Sequence, residues 1–530
     1  MSEFRLFDAN CQVGRHLHWT PDQPQTRDDL LADLDHFGID EALVIDSLSR
    51  ENHPAQGNRR VLETTGGNPR LHPAWAAMPH ATPDEQLRGT NLLDEMRKHR
   101  VGALFLYPGQ YRFTLSDWAV DDFLEPLALA GTPIFVNFNE VGGSMAPDMT
   151  DWDAVVALCR RWPTLPVIVS ESRIRRGNRL IYRAFDACPN LRVELSAYWL
   201  HRGIEFITEH WGAERLVFGS NWPRHGYSDT VATLTTADIS DEDKCLIAGD
   251  NLRQLISWSG AKHPEVDLPP AADAYVAFGQ TGKRPEDLPL FADCHGHMGG
   301  EASHYHLPNC TLDGIVRDQR RYGVEKSVIF GFTGVFSDEQ PGNDLVAEAV
   351  AAHPDLYVGF TLLNPHRGPE LMLEELERGK AMGLKGIKLI PHYQGYPNEG
   401  AHIDVACKWA HDNRQIILNH YWGGAEQMER LLETYPDACF LTGHMCLSYA
   451  ALMRKFDNLH VCSCPLIPPG ACEHAVAEIG ADRLLFGSDL QDLPIAWGLG
   501  PILFARISPE DKRLILGDNL RRLLSRYSLV

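Results

Sequence analysis

Short apolar runs recur along the chain, each closed by polar residues, with longer amphipathic stretches between them. In the second half these runs lie near 290–295, 326–332, 356–363, 385–391, 415–420, 438–443, 459–464 and 483–488, and each reads as a strand. Between them, Pro369 to Leu376 spaces its apolar residues three to four apart, the period of an amphipathic helix. Eight strands alternating with helices over roughly 240 residues predict a (β/α)8 barrel. The first half supplies counterpart runs near 4–9, 41–46, 72–78, 101–107, 133–138, 166–170, 191–196 and 215–219. The predicted fold class is therefore α/β, with two tandem (β/α)8 TIM-like barrels. A doubly wound open sheet is the alternative, but its glycine-rich phosphate loop is absent from both halves.

The two halves also share phrases. Leu6 to Gly14 matches Phe291 to Gly299, Phe218-Gly219-Ser220-Asn221 matches Phe486-Gly487-Ser488-Asp489, and Gly249-Asp250-Asn251-Leu252 matches Gly517-Asp518-Asn519-Leu520. The last two pairs share one offset, 489 − 221 = 268 and 518 − 250 = 268. That is a repeat of whole domains rather than of a short solenoid unit. The stretch between the halves carries Pro264, Pro269, Pro270 and Pro285 among scattered charges. The expected organisation is a first barrel over 1–260, a linker over 261–288 and a second barrel over 289–530.

Composition narrows the partners. The 530 residues include 71 acidic and 49 basic side chains, a formal charge of -22. Such a balance argues against nucleic acid or an anionic membrane as a partner. It leaves room for a small anionic substrate held by a local cluster of opposite sign. No apolar run approaches a membrane span, and Met1 to Arg5 lacks the features of a signal peptide. Twelve cysteines in so long a chain do not form a disulfide framework. Cys462 and Cys464 alternate on one strand and read as small buried filler. A reduced, cytoplasmic location is the expectation.

Candidate chemistry sits where the second-half strands end. Phe291 to Met298 contains His295-Gly296-His297, and residues i and i+2 of a strand share a face. His420 closes Ile416 to Asn419, His444 follows Leu441-Thr442-Gly443, and Asp489 closes Leu484 to Ser488. Histidines and a carboxylate at four strand ends suit one divalent ion. This order resembles the amidohydrolase superfamily, in the branch typified by aminocarboxymuconate semialdehyde decarboxylase. The phrases Gly487-Ser488-Asp489 and Gly517-Asp518-Asn519-Leu520 are similar to that branch as well.

The resemblance implies that His295, His297, His420 and Asp489 ligate one metal, with zinc leading and manganese or iron as alternatives. It implies a water activated by that metal, with His444 as general acid/base and Asp489 sharing the proton work. No organic cofactor is expected. Lys388 lies on the predicted fourth strand, where 386, 388, 390 and 392 share a face. It and His392 are candidate contacts for a carboxylate, as are His304 and His306 after the first strand. Carbamylation of Lys388, known from binuclear relatives, is a further alternative. Trp422 is a candidate stacking surface or a cap of the barrel mouth.

In the first half each proposed ligand is replaced, by Asn10, Gln12, Phe138 and Asn221, and Val169 to Ser172 offers no histidine. A catalytically inactive first barrel is expected, acting as scaffold in an intrachain pseudo-dimer that could pair again as a homodimer. It could also donate an arginine, among Arg112, Arg173 and Arg175. The leading functional reading is metal-dependent hydrolysis of an amide, lactone or related bond in a small molecule. Non-oxidative decarboxylation is the alternative, the intact His295 tilting toward hydrolysis. Hydration of an alkene is a third outcome, and a non-catalytic binding or scaffold module is the reading from another class.

Overall fold

The computed structural model describes the chain except residues 1–3, 18–22, 83–84, 86–88, 142–149, 171–176, 261, 263, 302–304, 465, 467 and 528–530. It divides into two compact units. The first is Met1–Ala272 with Gly279–Gly282 and His304–His306, and the second is Asp273–Phe278, Lys283–Ser303 and Leu307–Val530. The stretch read as a linker contains a helix, Ala274–Thr281, and its residues are shared between the units.

In the first unit nine parallel strands are described: β1 (Phe7–Val13), β2 (Glu41–Asp46), β3 (Leu71–Pro73), β4 (Trp75–Ala77), β5 (Leu104–Leu106), β6 (Ile134–Val136), β7 (Val167–Val169), β8 (Leu191–Glu194) and β9 (Leu216–Val217). They form one sheet in the order β1-β2-β3 and another running β4 to β9. The run expected as one strand over 72–78 is broken at Ala74, whose amide bonds back to Val44, and this divides the sheet.

The second unit holds β10 (Phe291–Met298), β11 (Val324–Gly331), β12 (Tyr357–Leu363), β13 (Gly386–Leu389), β14 (Ile416–Asn419), β15 (Cys439–Thr442), β16 (Leu459–Cys462) and β17 (Leu484–Leu485). All eight pair in parallel and in chain order, giving a nearly closed barrel. The open-sheet alternative is thereby set aside. At the seam the Cys294 amide donates to the Phe486 carbonyl (2.8 Å) and the Asp489 amide to the His295 carbonyl (2.9 Å). Every residue of β10 is buried, as expected of a parallel strand covered on both faces. Cys294, Val328, Phe360, Leu418 and Leu441 are among the residues of the apolar core.

Local sequence explains the helices between strands. Leu312–Tyr322 is opened by the Thr311 hydroxyl, which accepts from the Gly314 amide, and closed by Gly323 at φ 80°. Pro369–Ala381 begins with its proline in the first turn and buries Met372, Glu375, Leu376 and Gly379 on one stripe. The Gly-Asp-Asn phrase ends a π turn, Leu514–Asp518, and starts the helix Asn519–Arg526. There Asn519 donates through Nδ2 to the Ala481 (2.7 Å) and Leu484 (2.8 Å) carbonyls, fastening the helix to the start of β17. Asn251 does the same in the first unit, to Ala213 (2.9 Å) and Leu216 (2.8 Å).

Asn519 is fully buried. Asn519→Ala leaves two carbonyls without their donor and is expected to cost about 2–3 kcal/mol. Urea unfolding of the whole chain checks this, and a loss below about 0.5 kcal/mol contradicts it.

Candidate metal centre

The first barrel strand continues past the point expected from sequence, so both histidines lie within β10. Strand alternation puts their rings on the same side, with centroids 5.4 Å apart. The chain after β17 turns at Asp489, held at φ 59°. That left-handed conformation is uncommon outside glycine, and Asp tolerates it better than most residues. His444 (φ 53°) and Met445 (φ 50°) share it after β15. Non-glycine residues in this region gather where a site fixes the backbone.

A buried carboxylate aligns these pieces. Asp293 Oδ1 accepts from the His295 amide (3.0 Å) and the Ser488 amide (3.0 Å), and Oδ2 accepts from the Ser488 hydroxyl (2.5 Å). The Ser488 hydroxyl also accepts from the Leu490 amide (3.0 Å). One side chain thus ties the first strand to the last beside both sets of donors. Sequence reasoning passed over Asp293, because its partner Ser488 lies 195 residues away.

Among the described residues, one group has histidine, cysteine or carboxylate atoms placed to hold a metal: His295, His297 and Asp489, with ligand atoms within 4.8 Å of one another. His297 Nε2 lies 3.0 Å and His295 Nε2 3.4 Å from Asp489 Oδ1. His295 Nε2 is buried and makes no hydrogen bond. Two imidazole nitrogens converging on one carboxylate oxygen, one of them orphaned, fit a borderline-soft divalent cation. Burial raises the Asp489 pKa, but the His297 hydrogen bond and nearby imidazoles outweigh it and hold the carboxyl well below its usual range. Burial, with the Lys388 charge, lowers the His295 pKa and keeps its ring neutral.

His420, expected as a fourth ligand, stands beside this trio rather than in it. Its ring centroid is 5.9 Å from that of His295 and 4.0 Å from that of His444, whose Nε2 lies 2.9 Å from His420 Nδ1. The turn after β14 directs it at His444. Burial pushes the His444 pKa down to about 4, so this imidazole is neutral at pH 7 and only weakly basic.

Lys388 lies on β13, fully buried and facing the barrel interior. Its Nζ has no hydrogen-bond partner and sits 4.3 Å from the centre of the Phe330 ring. Burial lowers its pKa to about 8. His392 is not on the strand as expected. Pro391 opens a short helical turn, Pro391–Gln394, and carries His392 to the rim, 5.2 Å from His420 between ring centroids. Trp422 is no stacking surface: it is 0% exposed, its indole N–H donates to the Leu441 carbonyl (3.0 Å) and its ring packs edge-on to Phe440. Exposed aromatic rings near the site include Phe336 and Tyr393, 6.0 Å apart, and Tyr393 lies 5.4 Å from His420. Both rings lie in four-residue helical turns, too short to show a periodic pattern, so that wall gave no sequence signal. His304, Arg173 and Arg175 lie outside the described residues, and Arg112 is an exposed partner of Glu140 (2.7 Å).

The amidohydrolase family profile matches residues 15–256 and 292–526. This chain belongs to the amidohydrolase family. No curated protein matches the chain. Among solved structures, the amidohydrolase chain is similar to 2,6-dihydroxybenzoate decarboxylase complexed with 2,6-dihydroxybenzoate (18% identity, 45% of this chain and 99% of that one, TM-score 0.38). It is also similar to a dihydroxybenzoic acid decarboxylase from Polaromonas sp. with bound manganese and 2-nitroresorcinol (18%, 46% and 99%, TM-score 0.37). A third is 5-carboxyvanillate decarboxylase from Sphingomonas paucimobilis (14%, 45% and 99%, TM-score 0.35). No helix among the described residues of this amidohydrolase is long and apolar enough to cross a membrane.

In the first unit of the amidohydrolase the matching positions are occupied differently. Gln12 Nε2 donates to Asn221 Oδ1 (3.2 Å), where the second unit has His297 and Asp489. Asn10 Nδ2 donates to Glu194 Oε2 (3.1 Å). Asp8 repeats the Asp293 tether, accepting from the Ser220 amide (2.9 Å) and hydroxyl (2.6 Å). Arg50 donates to Asn137 Oδ1 (3.2 Å) and lies over the Tyr107 ring.

An unpaired buried amine is costly in its charged form. In metal-free protein at pH 7, Lys388→Met is expected to be more stable than wild type by about 3 kcal/mol. The folded-state pKa lies below the unfolded one, so the wild-type penalty is complete below about pH 8 and fades toward pH 10.5. Denaturant unfolding across that range checks the sign. A variant less stable than wild type at pH 7 contradicts the unpaired amine.

Proposed function

We propose that the second unit is a metal-dependent hydrolase of a small molecule that carries an amide, lactone or related carbonyl bond together with a carboxylate. The convergence of His295 and His297 on Asp489 carries this reading, with His420 and His444 paired beside them. A bound divalent ion, zinc or manganese, supplies Lewis acidity that polarises a carbonyl and acidifies water. The chain's residues do the rest. Asp489 and the neutral His444 accept and return the proton moved as water adds to the carbonyl carbon. Lys388 meets the substrate carboxylate from the barrel interior, and His392 and Tyr393 border the entrance.

Non-oxidative decarboxylation is the second reading, and the buried Lys388 favours it. A lysine with a pKa near 8 holds a proton at neutral pH and can yield it to the carbon that keeps the electron pair when CO2 leaves.

We propose further that the first unit is a degenerate, non-catalytic copy of the same barrel. Two family matches, the constant offset of 268 and the paired tethers of Asp8 with Ser220 and Asp293 with Ser488 support it.

Metal-loaded whole protein should be assayed against carboxylate-bearing lactones and amides for hydrolysis, and against unsaturated and aromatic carboxylates for CO2 release. Hydrolysis that falls about 10²-fold or more in His444→Asn, with metal content retained, is the expected result. CO2 release alone replaces it with the second reading, and a bound metal with no turnover in either panel overturns both.

A further inference from the structure

We infer that Cys462 is a positioning residue for the metal centre: its sulfur accepts a hydrogen bond from the Nδ1–H of His295 and so turns the Nε2 lone pair toward Asp489. This rests on the metal reading above. An imidazole that offers Nε2 as a ligand carries its proton on Nδ1, and that buried N–H needs an acceptor. Metal-ligating histidines ordinarily give this proton to a carboxylate, a carbonyl or water. Here Cys462 Sγ lies 3.6 Å from His295 Nδ1, within hydrogen-bonding range for sulfur. Cys462 ends β16 fully buried, and sulfur is a weak acceptor that fills the space beside the ring.

The space for that sulfur is built by a glycine. A Cβ added at Gly487 would lie 2.4 Å from Cys462 Sγ and 3.0 Å from His295 Cβ. The backbone there needs no left-handed conformation, so the absence of a side chain is what matters. The first unit repeats the arrangement with other chemistry. Asn10 stands for His295, Glu194 for Cys462 and Gly219 for Gly487. Asn10 donates to Glu194 (3.1 Å), and a Cβ at Gly219 would lie 2.6 Å from Glu194. In both units the β16-type strand supplies the acceptor, the first strand the donor, and a glycine the clearance. The acceptor role therefore belongs to the position, and the thiol is more than core filler.

The test is chelator competition on the whole chain loaded with Zn(II), with Co(II) absorption as a second readout. Cys462→Ala is expected to bind metal about 10- to 100-fold more weakly and to alter the Co(II) spectrum. Cys462→Ser, which keeps an acceptor, should stay within about threefold of wild type. Gly487→Ala displaces the sulfur without removing it, and should weaken binding even if Cys462→Ala fails to fold. Wild type that binds no metal, or His297→Ala that binds as wild type does, overturns the metal reading itself. Loss of binding in His297→Ala with wild-type affinity in folded Cys462→Ala or Gly487→Ala overturns the role of Cys462 and leaves the metal reading standing.

Discussion

The carboxylate of Asp293 is the constraint on which the second unit depends. It accepts three hydrogen bonds from the first and last strands of the barrel, at a place where neither water nor a second charge is needed to satisfy it. Burial raises its pKa to about 7, and the two backbone amides and the Ser488 hydroxyl work against that rise. The same bonds close the barrel seam and set His295, His297 and Asp489 within ligand distance. Contacts that join the first and last strands thus also place the candidate ligands. The left-handed turn at Asp489 persists because the strands on either side are held in register by this tether.

Around that constraint the interior departs from an apolar core. Lys388 is buried without a hydrogen-bond partner, and His295 Nε2 points at a carboxylate without donating to it. Both arrangements cost stability as they stand, and the proposed ligands would satisfy them: a cation for the imidazole pair and an anion for the amine. The first unit shows the alternative solution. There Gln12 donates to the Asn221 amide oxygen, Asn10 to the Glu194 carboxyl group and Arg50 to the Asn137 amide oxygen. A polar network that satisfies much of itself has less use for a metal.

The strand order of the second unit was legible because each buried strand is a short apolar run of fixed spacing, and the His-x-His pair was legible because strand alternation is strict. Helix starts at Thr311 and Pro369 follow local chemistry and could be read as well. What failed depended on contacts distant in sequence or, at His392, on a local proline whose effect was overlooked. The break at Ala74 follows from its bond to Val44, about thirty residues earlier in the chain. His392 left the fourth strand because Pro391 starts a helical turn. Trp422 has the look of a stacking platform, yet a carbonyl on the neighbouring strand claims its N–H. Asp293 and Cys462 carry no motif of their own, and their roles follow from what faces them across the barrel.

The most direct test of the account is metal per chain in purified protein, compared with a variant carrying His295→Ala and His297→Ala and with Gln12→Ala. The account predicts a single equivalent of zinc or manganese in wild type and Gln12→Ala, and none in the double variant. A second equivalent lost from Gln12→Ala, or metal retained in the double variant, would contradict a single site confined to the second unit.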